Sequence, residues 1–505
     1  MRSIRDFWDN CVRKWPRKVG VICGERELSY DDLDRRTARL ANAFRSRLGV
    51  RKGDRVAVVM PNCLEFFLTY WATIRLGAVV VPVNTRLKPE GIRHVVRSTE
   101  PRLLVSHASV HDALKEALRD CDGGWQAAAV GLRDEDGVVP FDELDGGEER
   151  DWRELGEDDL AVIAHTSGTT GVPKGAMMHH GDLIFNVRNS IIAHGFRHDD
   201  VHLQVSPMFH CTALYSVLPG AAYLGSTVVI APNPDVREIV RLIEKHRITM
   251  WLGVPTMFYF LVTMRDLDRH DLSSLKVIGY AGSPMPPETI RRLREKFPWA
   301  ELRNFFGLTE TISVTHVLPS PDALRHPESV GKLLPEVAMR IVDEGGNDVG
   351  PGEVGELCFH RRNVVKGYWG RPELLEESML GDWFRTGDFA LQDEEGYLFL
   401  KGRKKDMMIV GGENVFAVEV ENVLVGHPDV LEAAVVGVEA TGVRSYLGEL
   451  VKAVVVARPG AQINELDIKR HCAERLPSYK TPQIVEFRDS LPRNPAGKVL
   501  KNELK

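Results

Sequence analysis

The sequence predicts an α/β fold whose last hundred or so residues form a smaller part of mixed α/β pattern. Three observations carry this. Strand, helix and strand follow one another with short connections from Arg55 onward. After residue 340 the pattern changes to short strands between Gly-rich turns. A charged stretch, Lys401-Gly402-Arg403-Lys404-Lys405-Asp406, then precedes a compact remainder, and the domain boundary is placed there. The composition of the 505 residues is 43% hydrophobic and 27% charged, which excludes disordered, collagen-like and coiled-coil chains.

The elements follow in order. Ser29-Tyr30-Asp31-Asp32 is a capping box ahead of a helix with Leu33, Leu40, Ala43, Phe44 and Leu48 on one side. Gly53-Asp54 opens a strand from Arg55 to Met60. Pro61-Asn62 starts a helix from Leu64 to Leu76, which Gly77 stops. An apolar run from Ala78 to Val83 completes a βαβ unit on a parallel sheet. Leu160 to Ala164, Val228 to Ala231, Met250 to Val254 and Val277 to Tyr280 read as buried strands. Val236 to His246 and Glu288 to Lys296 read as the helices between them. Arg340 to Asp343, Gly355 to His360 and Gly396 to Lys401 are the short later strands.

Charge and cysteine usage narrow the function classes. Lys+Arg 65 against Asp+Glu 71 gives a net charge of -6, so no basic excess exists to hold a nucleic acid. A small anion needs only a local pocket. The seven cysteines are scattered, odd in number and without a CxxC pair, which predicts reduced thiols and a cytoplasmic protein. The first residues lack the apolar core of a signal peptide. No run approaches the ~18 apolar residues of a membrane span. His194, His198 and His202 have a spacing that could bind zinc on one helix. Gly195 and Asp199-Asp200 predict instead a loop leading into a strand, so no metal is assigned there.

The strongest chemical signal is Thr166-Ser167-Gly168-Thr169-Thr170-Gly171-Val172-Pro173-Lys174-Gly175, directly after a buried strand. Glycines and small hydroxyl residues let backbone N–H groups approach phosphate oxygens, and Lys174 adds positive charge. It is not a Walker A loop: two residues separate Gly168 and Gly171, and Gly175 follows the lysine.

Five further motifs follow in order: Asn304-Phe305-Phe306-Gly307-Leu308-Thr309-Glu310-Thr311, Arg385-Thr386-Gly387-Asp388, Gly402-Arg403-Lys404-Lys405-Asp406, Gly411-Gly412-Glu413-Asn414, and Pro492-Arg493-Asn494-Pro495-Ala496-Gly497-Lys498. With the phosphate loop, this series resembles the adenylate-forming superfamily of acyl-CoA synthetases, adenylation domains and luciferases. The match runs from about Ser29 to Lys505.

The resemblance implies a large N-terminal part, residues 1–404, of stacked α/β subdomains plus a small β-rich subdomain. It implies a small mobile α+β domain, residues 405–505, turning about Lys405. The implied chemistry has two halves. A carboxylate attacks the α-phosphorus of ATP and expels pyrophosphate. The thiol of coenzyme A then attacks the acyl-adenylate carbonyl and expels AMP. By resemblance, Thr166, Ser167, Gly168, Thr169, Thr170, Gly171 and Lys174 hold the β- and γ-phosphates. Glu310 holds Mg²⁺, a hard cation suited to oxygen ligands. Thr309 donates to the α-phosphate. Phe306, in the motif Asn304-Phe305-Phe306-Gly307, stacks on adenine, with Ala281, Gly282 and Ser283 opposite. The family usually has Tyr where this chain has Phe306. Asp388 accepts from the ribose hydroxyls, helped by Arg403. Lys498 bridges the carboxylate and the α-phosphate. Gly411 and Gly412 line the pantetheine channel.

On the acid side, Ser206-Pro207-Met208-Phe209-His210 resembles the family's acyl motif, with His210 flanking the carboxylate and Gly282 and Gly331 lining the acyl tunnel. Long-chain members often carry a Trp shortly after this histidine, and here the run is His210-Cys211-Thr212-Ala213-Leu214. The acid is expected to be an apolar monocarboxylate, a medium-to-long-chain fatty acid first, with aryl or alicyclic acids as the alternative. A carrier protein in place of free CoA, and a non-catalytic nucleotide-binding protein, are the other readings. Homodimers are common in the family, so a second copy of the chain is among the partners it implies.

Overall fold

The computed structural model describes residues 1–119, 121, 123–133, 137–166, 173–440, 446–493 and 499–505. The chain forms two compact units. The first comprises Met1–His326, Gly331–Ala338 and His360–Met379; the second comprises Pro327–Val330, Met339–Phe359 and Leu380–Lys505.

The first unit holds two large sheets. The seven-stranded sheet runs, edge to edge, through Val138–Pro140, Gln126–Val130, Leu103–His107, Arg55–Val59, Val79–Pro82, Leu160–Thr166 and Lys174–His179. Every neighbouring pair is parallel except the last. The nine-stranded sheet has a parallel middle and antiparallel edges. Its parallel strands Met250–Gly253, Val277–Ala281 and Glu301–Leu308 are followed by the antiparallel return Ser313–Leu318. Val56, Val58, Val80 and Val162 are fully buried, as in sheets covered on both faces.

The local signals act as expected. Asp32 N–H donates to Ser29 Oγ at 3.1 Å, and Ser29 N–H donates back to Asp32 Oδ2 at 3.2 Å, starting the helix Tyr30–Ser46. The helix Leu64–Leu76 ends at Gly77. Not legible was the ion pair beneath both helices. Arg75 Nη1 lies 2.6 Å from Asp34 Oδ1, and Trp8 Nε1 donates to the same oxygen at 3.0 Å. Both charges are buried, and the exposed Arg150 also pairs with Asp34, so it is Arg75 that depends on this carboxylate for its ion pair.

The second unit contains a five-stranded sheet from Met339–Val342, Gly355–His360, Met379–Leu380, Trp383–Gln392 and Leu398–Arg403. A hairpin, Met407–Val410 with Glu413–Phe416, follows. The strands Val430–Glu439 and Glu449–Ala457 pair antiparallel, and Ile484–Phe487 joins them in parallel. Helices Ala417–Val425 and Glu465–Ala473 cover this sheet around Val420, Leu424, Val435, Val451, Val455 and Ile468.

Candidate active site

The two ends of the expected phosphate loop lie on paired strands. Thr166 ends the strand Leu160–Thr166, Lys174 begins the strand Lys174–His179, and the two residues are direct antiparallel partners. The ends of the loop are therefore pinned together. Ser167, Gly168, Thr169, Thr170 and Gly171 lie outside the described residues, as does Lys498.

Glu310 sits in the tight turn between Glu301–Leu308 and Ser313–Leu318. The turn is held in costly backbone: Ile312 has φ 59° and Ser313 φ 76°. For a β-branched residue such a φ is an outlier, of order 1–3 kcal/mol. Thr311 helps hold it, accepting from Leu308 N–H at 2.9 Å through Oγ1. A β-bulge at Phe306 and Gly307 shifts the register of the same strand pair.

Tyr368 ties this turn to the phosphate hairpin. Its hydroxyl donates to Glu310 Oε1 at 3.0 Å, and Lys174 Nζ lies 5.3 Å from its ring centroid. The backbone around it is bonded both ways. Val365 N–H donates to Glu310 O at 2.8 Å, while Met177 N–H donates to Gly367 O at 3.1 Å and Trp369 N–H to Gly175 O at 2.8 Å. Sequence reasoning missed Tyr368. Its contact with Glu310 spans 58 residues and leaves no local pattern.

The expected adenine wall is assembled at the C-terminal ends of parallel strands, where α/β sheets commonly bind ligands. Ala281 pairs in register with Phe305, and Tyr280 with Asn304. Successive strand residues face opposite ways. Phe305 is buried, its ring 3.9 Å from that of His194, whereas Phe306 is half-buried. Phe305 thus supports the sheet while Phe306 keeps an open face. Asn304 is buried beside it, and Gly282 and Ser283 are exposed just beyond Ala281.

The His210 loop is fixed by Asn62. Met208 N–H donates to Asn62 Oδ1 at 2.7 Å, and Asn62 Nδ2 donates to Ser206 O at 3.0 Å. Asn62 was legible as a helix start but not as a clamp on a loop so distant in sequence. After His210 a π-helical turn, Thr212–Val217, leads into the helix Leu218–Leu224. His210 is exposed to solvent yet crowded by protein, and its Nδ1 lies 3.3 Å from Cys211 Sγ. Interaction with Cys211 raises the imidazole above its ordinary pKa, against the effect of burial.

Gly282 opens onto space: a Cβ built there meets nothing nearer than Val254 Cγ1 at 3.8 Å. Gly331 does not. A Cβ there would fall 2.0 Å from the carbonyl oxygen of Val317, and its φ is 93°. The main chain requires glycine at 331 whatever the acid.

In the second unit, Arg403 Nε lies 3.1 Å from Asp388 Oδ1, so the two expected ribose residues are brought together. The loop before them is held by buried Glu356, which pairs with Arg385 and accepts from Gly387 N–H at 3.2 Å. Lys405 lies exposed in the short turn Lys404–Asp406. Gly411 and Gly412 form the turn of the hairpin, with φ 60° and 86°. That pair of positive φ values is what a two-residue hairpin turn demands.

The AMP-binding enzyme family matches residues 8–369, and the AMP-binding enzyme C-terminal domain matches residues 419–498. The chain belongs to the AMP-binding enzyme family. Within this family it is 36% identical to a feruloyl-CoA synthase from Amycolatopsis sp over 495 residues, covering 98% of this chain and 96% of that protein. It is 30% identical to a long-chain-fatty-acid–CoA ligase of Escherichia coli, covering 100% and 94%. A solved anthranilate CoA ligase, AuaEII, in complex with anthranoyl-AMP, superposes with TM-score 0.91 at 25% identity, covering 99% of this chain and 96% of that one. No described helix is long and apolar enough to cross a membrane.

Proposed function

We propose that this member of the AMP-binding enzyme family is an ATP-dependent acid–CoA ligase. The acid carboxylate attacks the α-phosphorus of ATP, pyrophosphate leaves, and CoA thiolate then displaces AMP from the acyl-adenylate. The observation that carries the reading is the convergence of Lys174 and Glu310 on Tyr368. One cation for phosphate oxygens and one carboxylate for a metal meet at one point, at the base of a glycine-rich hairpin loop. Lys174 neutralises phosphate charge, Thr309 donates to the α-phosphate, and Phe306 presents a face to adenine. Asp388 and Arg403 hold the ribose. Lys498 supplies the charge-assisted bond between carboxylate and α-phosphate, a donor whose loss costs roughly 10²–10³ in rate. Gly411 and Gly412 offer bare backbone to the thiol arm of CoA.

Mg²⁺ fits the donor set. Among the described residues no group of three His, Cys, Asp or Glu side chains forms a complete cage. A single carboxylate, Glu310, oriented by Tyr368, suits a cation that takes its other ligands from water and substrate phosphates. The metal would draw charge from the departing pyrophosphate.

The acid is read as an apolar monocarboxylate carrying an aromatic ring. Support comes from the higher identity to the feruloyl-CoA synthase, the lack of a Trp after His210, and the apolar wall that Val254 offers beside Gly282. A fatty acid is the second reading, favoured by the full-length similarity to the long-chain ligase. The test is pyrophosphate release from ATP and Mg²⁺ across cinnamates, benzoates, phenylacetate, octanoate and palmitate, with and without CoA. Turnover requiring both a ring-bearing acid and CoA is expected. One pyrophosphate per enzyme, indifferent to CoA, would replace CoA with a carrier protein.

A further inference from the structure

A histidine outside the expected site residues holds the main chain where the expected phosphate loop ends. His94 lies on the helix Pro89–Thr99, which packs Ile92, Val95 and Val96 against Val59, Leu104 and Ile163 of the seven-stranded sheet. At about 100° per residue the helix turns His94 away from that apolar stripe, so the packing on the sheet does not ask for an imidazole there. The side chain is half-buried all the same. Its Nε2 lies 3.1 Å from the carbonyl oxygen of Pro173, 79 residues further along the chain. A carbonyl oxygen only accepts, so Nε2 carries the proton and donates. Pro173 directly precedes the strand Lys174–His179, and its carbonyl shares a peptide plane with the Lys174 N–H. In a trans peptide the two groups point opposite ways, so tying the carbonyl to the helix fixes how the Lys174 peptide faces. The same helix holds the far side of Lys174. Ser98, one turn after His94, accepts through its carbonyl from Trp369 Nε1–H at 3.1 Å, and Trp369 N–H donates to Gly175 O at 2.8 Å.

We propose that His94 is a positioning residue of the ATP half of the reaction: its bond to Pro173 O, with the Trp369 bonds beyond, fixes the main chain from which Lys174 reaches phosphate oxygens. The Lys174 ammonium lies against the Tyr368 ring, 5.3 Å from its centroid. It is a point charge on a flexible four-carbon stem, so a wandering peptide would spread that charge over many positions. Holding the peptide removes one source of the spread before ATP arrives, and leaves less ordering for binding to supply. His94 acts through Lys174 rather than on phosphate. The proposal rests on the reading of Lys174 as a cation for ATP.

The test begins with equilibrium binding of ATP and Mg²⁺ to the full chain, without acid or CoA. His94→Gln keeps an N–H donor at similar reach, and His94→Met removes it at similar length. Melting temperatures are measured first, and His94→Leu takes the place of His94→Met if that variant does not fold. His94→Met is expected to weaken ATP binding about 3- to 10-fold, the share of one neutral hydrogen bond. His94→Gln is expected to stay within about twofold of wild type. In acid-dependent ATP–pyrophosphate exchange, His94→Met should raise the KM for ATP and leave the KM for the acid unchanged. In a Lys174→Ala background His94→Met should weaken ATP binding no further, because the residue it acts through is gone. Equal ATP binding by His94→Gln and His94→Met, or the same loss with and without Lys174, would overturn the proposal. So would parallel rises in both KM values, as a general loosening would give. A wild type that binds ATP but turns over no acid would count against the ligase reading alone, because ATP binding decides His94 independently. A wild type that binds no ATP would overturn both.

Discussion

Removing one oxygen atom from Tyr368 tests how the carboxylate proposed for the metal, that of Glu310, is held. In Tyr368→Phe the ring stays under Lys174 and the bond to Glu310 Oε1 is lost. A hydrogen bond to a charged group contributes about 1.5–3 kcal/mol, so acid-dependent ATP–pyrophosphate exchange should fall about 10- to 100-fold. Equilibrium binding of ATP should lose part of its enhancement by Mg²⁺, while the melting temperature stays nearly constant. Undiminished exchange and unchanged Mg²⁺ enhancement would release Tyr368 from this role. The residues around it show what a sequence can reveal at this scale. Lys174, Thr309 and Glu310 could be singled out as candidates because each sits inside a short run whose chemistry is local. Tyr368 and the clamp made by Asn62 could not, since their partners are brought in only by sheet pairing and loop packing.

Elements were legible where an apolar run is bounded by turn residues. The helices Leu64–Leu76 and Val236–His246 and the strand Gly355–His360 lie where their patterns predict. The return strand Lys174–His179 was not legible. Its Lys, Gly and His residues break the apolar run, and it is defined by partners on Leu160–Thr166. Nor could periodicity divide the strands between two sheets, because buried parallel strands look alike. Gly331 shows how the main chain can demand a glycine at a position also expected to line the acid tunnel. The resemblance makes it a tunnel residue kept small for the acid, yet its Cβ would strike the strand Ser313–Leu318 at Val317. Gly331→Ala should therefore cost more than about 1 kcal/mol and lower the melting temperature by several degrees. The ranking of acids should be kept among the molecules that fold. A shift toward shorter acids at constant melting temperature would return Gly331 to the tunnel.

At the scale of the whole molecule the reaction asks for two environments in turn, one excluding water from ATP and one admitting a thiol. The resemblance assigns the change to Lys405, and we read the chain as dividing there in function. Lys405 is exposed and lies in a single short turn between the strands Leu398–Arg403 and Met407–Val410, so a substitution there touches no core. Proline fixes φ near -65°, which a turn of this type already adopts. Proline also disfavours a helical conformation at the residue before it, so the melting temperature of Lys405→Pro is measured first. A folded Lys405→Pro enzyme should keep this arrangement and be denied any other that needs a different φ at 405. Acid-dependent pyrophosphate release in a single turnover should then stay within a few-fold of wild type or change to one low value, according to which arrangement is frozen. Transfer of acyl groups from supplied acyl-AMP to CoA should move the opposite way, by about 100-fold or more relative to the first half. The division of function predicts such a split between the half-reactions. Equal losses in both halves at an unchanged melting temperature would mean that one arrangement serves both, and the pivot at Lys405 would fall.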